Sequence, residues 1–172
     1  MEFPEINEAK SRVPLSLLME EGDLDLFVVS ARMRQGLSEQ FKLELRVRHK
    51  SELTVSGLIG KRLKVEFQEE REIPAISGIC TAARFLAQDF DGTHYALTIE
   101  PRTAFMRLRR DHRVLKDCNA FGLAAALIEP LAARVGQVFV GDATSLPVHE
   151  YRVQYGENSL QALMRMLAED GV

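Results

Sequence analysis

The sequence predicts a mainly β protein with an α+β part: an antiparallel, barrel-like β lobe over 24–101, followed by a smaller α+β lobe over 102–172. Three observations carry this. Phe41, Leu43, Leu45 and Val47 interleave with Lys42, Glu44, Arg46 and Arg48, the alternation of a strand with one buried and one wet face. Asp91-Gly92 sits between two β-like runs and offers the positive dihedrals of a tight hairpin. Beyond Pro101 the apolar spacing lengthens to that of a helix, and the chain closes on a helix with recognisable start and stop signals.

The elements follow in order. Residues 1–23 carry Pro4, Pro14 and mixed charge and read as an arm, with one short apolar turn at Leu15 to Met19 outside the core. Leu24, Leu26 and Val28 open the β pattern, and Gly36 supplies the turn before the cleanest strand. Leu53 to Gly60 reads as a short helix or turn, Leu63, Val65 and Phe67 as a strand, and Ile73 to Phe85 as another, which Pro74 marks as an edge or bulge. Asp89 to Gly92 then turns the chain into a partner strand, Thr93 to Pro101. Five or six antiparallel strands result, a small barrel or sandwich whose edges must be closed or covered. Leu43, Leu45, Val47, Leu97 and Ile99 are expected in its interior.

In the second lobe, Thr103 to Leu108 reads as a helical turn and Arg113 to Leu115 as a short strand. Asn119 caps a helix bearing Phe121, Ala124, Ile128, Leu131 and Val135, which Pro130 should kink. Gln137 to Val140 and Val148 to Tyr155 are further strands. In the last helix Asn158 and Gln161 stand at capping-box spacing, Leu160, Leu163, Met164 and Leu167 share a face, and Gly171 stands where a left-handed residue closes the helix.

Composition excludes more than it suggests. At 172 residues, 46% apolar and 27% charged, the chain can bury a sizeable core. A net charge of -3 gives no overall reason to seek nucleic acid or an anionic membrane. Cys80 and Cys118 show neither disulfide nor zinc spacing and read as free buried thiols. Glu2, Glu5 and Glu8 replace the basic start of a secretory signal. The longest wholly apolar stretch, Leu123 to Ile128, is far too short to span a bilayer. Synthesis and folding are therefore expected in the cytoplasm.

Sites of chemistry are equally sparse. Gly57-Leu-Ile-Gly60-Lys61-Arg62 fails as a phosphate loop, because Val55 stands for the first glycine and Arg62 for the magnesium-binding hydroxyl. Asp89 and Asp91 lack the further oxygens of a calcium loop and read as turn residues. His49, His94, His112 and His149 are scattered, with no metal-ligand spacing. No nucleophile elbow is present, so neither catalytic residue, metal site nor cofactor is expected. Arg102, Arg107, Arg109, Arg110 and Arg113 form a basic strip able to contact phosphates. With only Phe105 nearby as a stacking ring, a solvated or ion-paired face is the favoured reading. A nucleic-acid-binding domain centred on these arginines is the rival function.

The stretch Val153 to Val172 resembles the "Gln-Tyr, Glu-Ser-Asp, Arg-Leu-Leu-Glu, Gly-Ile" segment of VgrG-type proteins, the spike hubs of bacterial type VI secretion and of contractile phage tails. Gln154, Tyr155, Glu157, Arg165, Leu167, Glu169 and Gly171 match in place; Asn158 stands for Ser, Ser159 for Asp and Val172 for Ile. Leu37 to Phe41, the Leu58 to Lys61 turn, the Gly78 strand, Tyr95 to Pro101 and the arginine junction at Leu108 to Leu115 follow in the family's order. The resemblance implies a homotrimeric hub whose barrel lobes form a ring, docked on a hexameric secretion tube and on baseplate components and carrying a spike. Its role would be structural, without binding nucleic acid or membrane through this segment. Arg107, Arg109, Arg110 and Arg113 become interface candidates. The chain would be the N-terminal part of such a hub, truncated relative to the family, inclined to self-associate, and exported by its own machine if the complete spike is made. A phage-tail hub fragment is the alternative within the same family.

Overall fold

In the computed structural model the described residues are 15–19, 26–36, 39–67, 75–131, 133 and 146–171. The chain divides into two compact units, Met1–Pro101 and Arg102–Val172.

The first unit is a closed barrel of six antiparallel strands. These are β1 (Leu15–Met19), β2 (Leu26–Arg34), β3 (Lys42–His49), β4 (Arg62–Phe67), β5 (Ile76–Asp89) and β6 (Gly92–Glu100), in spatial order β1-β2-β3-β6-β5-β4. Closure leaves no strand at a free sheet edge along its whole length, which answers the edge problem posed by so many short strands. The alternation in β3 matches that in β6: Leu43 pairs with Ile99, Leu45 with Leu97 and Val47 with Tyr95, and all six are buried. With Leu17, Leu26, Leu58, Leu63, Val65 and Cys80 they form one core. The buried Tyr95 hydroxyl accepts the Leu53 N–H at 2.7 Å, so the one large polar group in that core is satisfied.

Two turns fix the barrel. The 3-10 turn Val55–Gly57 runs into Gly60, whose φ of +83° needs glycine. Gly60 N–H donates to Cys80 O at 2.7 Å and Cys80 N–H to Lys61 O at 2.9 Å, while Leu58 enters the core. This is the Leu58 to Lys61 turn, held by strand β5. At the β5–β6 hairpin Asp89 pairs with Gly92 across Phe90 and Asp91, and Asp89 Oδ1 accepts the Asp91 N–H at 2.9 Å.

The second unit contains a 3-10 turn (Arg102–Leu108), β7 (Arg110–Cys118), α1 (Ala120–Ile128), a second 3-10 turn (Glu129–Leu131), β8 (His149–Asn158) and α2 (Ser159–Glu169). β7 and β8 form a two-stranded antiparallel sheet. Its core is Met106 with Leu123, Ala124, Leu127 and Ile128 of α1 and Ala162, Leu163 and Met166 of α2. Asn119 Oδ1 caps α1 by accepting the Gly122 N–H at 3.0 Å.

Several expectations are corrected. Leu15 to Met19 is a barrel strand, with Leu17 in the core; five residues are too few to show a period, but they supply the strand that closes β2 onto β4. At the hairpin only Gly92 takes a positive φ, at +135°, so Asp91 does not share that role. Arg113 to Leu115 lies within a nine-residue strand, because ion pairs on Asp111 and the pairing with β8 hold the polar flanks extended. Regular α-helix gives way after Ile128 to the 3-10 turn Glu129–Leu131 that holds Pro130, and residue 133 is again helical, so the proline interrupts the helical path. Val135, Pro74 and Gln137 to Val140 lie outside the described residues. The buried face of α2 is Ser159, Ala162, Leu163 and Met166, whereas Leu160, Met164 and Leu167 are only half-buried. Leu160 and Leu167 nevertheless pack against the core that holds Leu163.

Candidate functional site

The residues that the sequence singles out near the C-terminus gather at the corner where β8 runs into α2. The register of β8 against β7 slips between Arg110 and His112, so that β8 carries one extra residue. Gly156 sits at this bulge with φ +68°, and a Cβ there would meet the His112 ring at 3.3 Å. The bulge releases Glu157 to reach Arg165, whose Nη2 donates to Glu157 Oε1 at 2.5 Å and to Val153 O at 3.0 Å, and whose Nη1 donates to Glu169 Oε1 at 2.9 Å. Glu157 first, then Glu169, raises the Arg165 pKa above its already high value, so this cation stays charged. Gln154 is fully buried and donates from Nε2 to Glu157 O at 3.1 Å. Asn158 Oδ1 accepts the Gln161 N–H at 2.9 Å while Gln161 Oε1 accepts the Asn158 N–H at 3.2 Å, completing the capping box. Gly171 closes the helix at φ +73°.

Thus Gln154, Glu157, Arg165 and Glu169 are brought together as one hydrogen-bonded clamp, with Leu167 half-buried beside it. Tyr155 does not join them. It is 81% exposed and meets His112 edge to face, ring centroids 5.0 Å apart.

A second buried cluster escaped the sequence reading. Arg152 is 7% exposed. Its Nη1 donates to Met166 O at 2.5 Å, and its Nη2 pairs with Asp170, whose side chain is 1% exposed. His149 Nε2 lies 2.8 Å from the same Asp170 oxygen. The sequence signal is an inverted alternation: in β8 Arg152 and Gln154 point inward, while Tyr151, Val153 and Tyr155 point outward. Without knowledge of which face is covered, that alternation reads equally well either way.

The arginine junction meets this corner through the backbone, Ser159 N–H donating to Arg109 O at 2.8 Å. Arg109 and Arg113 converge on Asp111 at 2.9 and 2.5 Å, and Arg113 also donates to Ala126 O at 3.1 Å. The Arg113 guanidinium chiefly, helped by the His112 N–H and Arg109, holds the Asp111 carboxyl below its ordinary range. Arg107 donates to Ala104 O at 3.4 Å, and Arg110 is exposed. Arg109 and Arg113 are thus ion-paired, while Arg107 and Arg110 are the exposed members of the strip. Beside them an open groove of about 430 Å³ is lined by Phe105, Leu108, Arg109, Arg110, Pro130 and Leu131. Among the described residues no group of three metal-ligating side chains converges, and no helix is long and apolar enough to cross a membrane.

This is a scaffold of clamps and caps. Several known proteins are similar to the chain. The chain is 27% identical over 168 residues to the type VI secretion system spike protein VgrG5 of Pseudomonas aeruginosa, covering 91% of this chain and 20% of the relative. To VgrG4b of the same organism it is 26% identical over 152 residues, covering 86% and 18%. The chain thus spans about a fifth of the length of these relatives. Among solved structures, the E. coli c3393 protein, a type VI secretion component with structural similarity to T4 tail proteins gp27 and gp5, shares the fold at TM-score 0.61 and 18% identity, over 94% of this chain and 42% of that one. The 43 kDa tail protein of prophage MuSo2 from Shewanella oneidensis matches at TM-score 0.59 and 14% identity, over 94% and 52%. The sequence profile of the phage tail baseplate hub (GPD) family matches residues 34–172, and the chain belongs to that family.

Proposed function

We propose that this chain is the N-terminal hub segment of a VgrG-like type VI secretion spike, an assembly protein that docks a spike on the secretion tube and performs no catalysis. The observation that supports this most is the continuity of the baseplate-hub profile from the last residue of β2 past the end of α2, together with spike-protein relatives aligned over nearly the whole chain. In this reading the barrel unit, Met1–Pro101, and the α+β unit, Arg102–Val172, act as two lobes of one protomer of a homotrimer. The partners are a hexameric tube protein and baseplate components, and the protein is made in the cytoplasm and expelled by its own machine. Gln154, Glu157, Arg165, Glu169 and Gly171 serve as structural members that fix the direction of α2. Arg107, Arg110 and the groove beside them face outward as contact candidates, with Arg109 and Arg113 as their buttress.

A phage-tail hub is the second reading, favoured by the family description itself and by the prophage tail protein that shares the fold. Deleting the gene in its host separates the two. Loss of tube-protein export with phage production intact supports the secretion hub, loss of assembled tails supports the phage hub, and an intact count of both overturns the assembly role.

A further inference from the structure

The barrel carries a strongly charged face. Strands β2, β3, β6 and β5 lie side by side, and their outward residues fall in cross-strand rows. One row runs Ser30, Arg46, Ala96, Arg84, and the next runs Arg32, Glu44, Thr98, Ala82. Arg34 pairs with Lys42 beyond them, and Arg48 stands beside His94 on the other side. Arg32, Arg34, Lys42, Arg46 and Arg84 are exposed and Arg48 is half-buried. Six cations therefore share this face with Glu44, while at its margins Asp91 pairs with Arg48 at 3.4 Å and Glu100 accepts the Thr81 hydroxyl at 2.6 Å, on a chain whose net charge is -3. Lys42, which bonds Glu44 at 2.8 Å, is the main cause that holds this carboxyl below its ordinary pKa, with the fields of Arg34 and Arg32 adding to it.

The layout has a shape as well as a sign. Between Arg46 and Arg84 stands only Ala96, so two guanidiniums flank a low strip two strand spacings wide, about 10 Å. Thr98 and Ala82 continue the strip. Each guanidinium can fork onto a carboxylate. Nucleic acid fits less well: Glu44 opposes phosphate, and the Phe27 ring already lies under Arg48 at 5.1 Å and offers no stacking platform.

We propose that the outward face of β2, β3, β6 and β5 is a docking surface for an acidic protein partner, whose carboxylates engage Arg46 and Arg84 across the Ala96 strip. The inference goes beyond the hub reading and holds whichever assembly the chain joins. A fluorescent oligo-glutamate peptide, titrated against the whole chain at low salt, is the probe. Arg46→Glu with Arg84→Glu should weaken binding about tenfold or more, Arg46→Gln with Arg84→Gln by less, and Lys116→Glu in the other unit by no more than about twofold. Circular dichroism confirms that each variant is folded, and the glutamine pair keeps the test open should the glutamates disturb the sheet. Equal losses in the Lys116→Glu control would reduce the effect to net charge and overturn the proposal. So would absence of peptide binding, or a DNA duplex of matched charge that binds more tightly and is released by the same pair.

Discussion

Arg152 ties β8 to the end of α2. Its guanidinium is buried against Asp170 and the end of α2. Removing one member of a buried pair strands the other charge, at a cost of about 3–5 kcal/mol. Arg152→Met should lower stability by that amount in a denaturant titration, and a second change, Asp170→Leu, should restore part of it; a silent Arg152→Met would show that the pair is open to water. The two cysteines give a separate test. Burial pushes the Cys80 thiol up to about 11, so near neutral pH it is protonated and enclosed. Cys118 is raised less and is partly exposed. Thiol alkylation at pH 8 should mark Cys118 in the native protein and reach Cys80 only on unfolding. Reaction at Cys80 first would place it outside the core. Much of the candidate site was legible at this scale, since the capping box and Gly171 follow from local backbone needs. Arg152 and His149 were not, because their partner Asp170 is remote in sequence and no local rule joins them.

At the scale of elements, the strands whose alternation is long and clean, β3 and β6, were readable, because one buried face imposes a period of two. β1 was not, since five residues carry too little pattern and only the partner strands β2 and β4 decide its state. The length of β7 was hidden for a different reason: its ends are polar and become extended only through pairing with β8 and the ion pairs on Asp111. Gly78 tests the closeness of the barrel wall. A Cβ on it would lie 2.5 Å from Glu100 O and 2.7 Å from the Ile99 side chain, and strand backbone cannot retreat as a flexible side chain would. Gly78→Ala should therefore destabilise the barrel by about 1–3 kcal/mol, read as a lower denaturation midpoint. An unchanged midpoint would mean that β5 and β6 part easily at that point.

At the scale of the whole molecule, the two units are built to different standards. The barrel is closed, and twelve buried residues form its core among the described residues. Among the described residues the second unit rests on eight, around a two-stranded sheet, and a core serving about 70 residues rarely supplies more than about 3–5 kcal/mol. Its clamps on Asp170 and Arg165 make up part of the difference, but they hold α2 in place rather than enlarge the core. The units should therefore unfold in sequence, 102–172 before the barrel. Hydrogen exchange followed by mass spectrometry in rising urea resolves this, because peptides from α2 and from β3 report separately. Leu163 is buried in the smaller core, and Leu163→Ala should cost about 2–5 kcal/mol, enough to leave the second unit unfolded near zero urea while protection of Leu43, Leu45 and Val47 persists. If α2 and β3 instead lose protection together, before and after that substitution, the chain is one cooperative body, and an account of the hub as two lobes with their own cores fails.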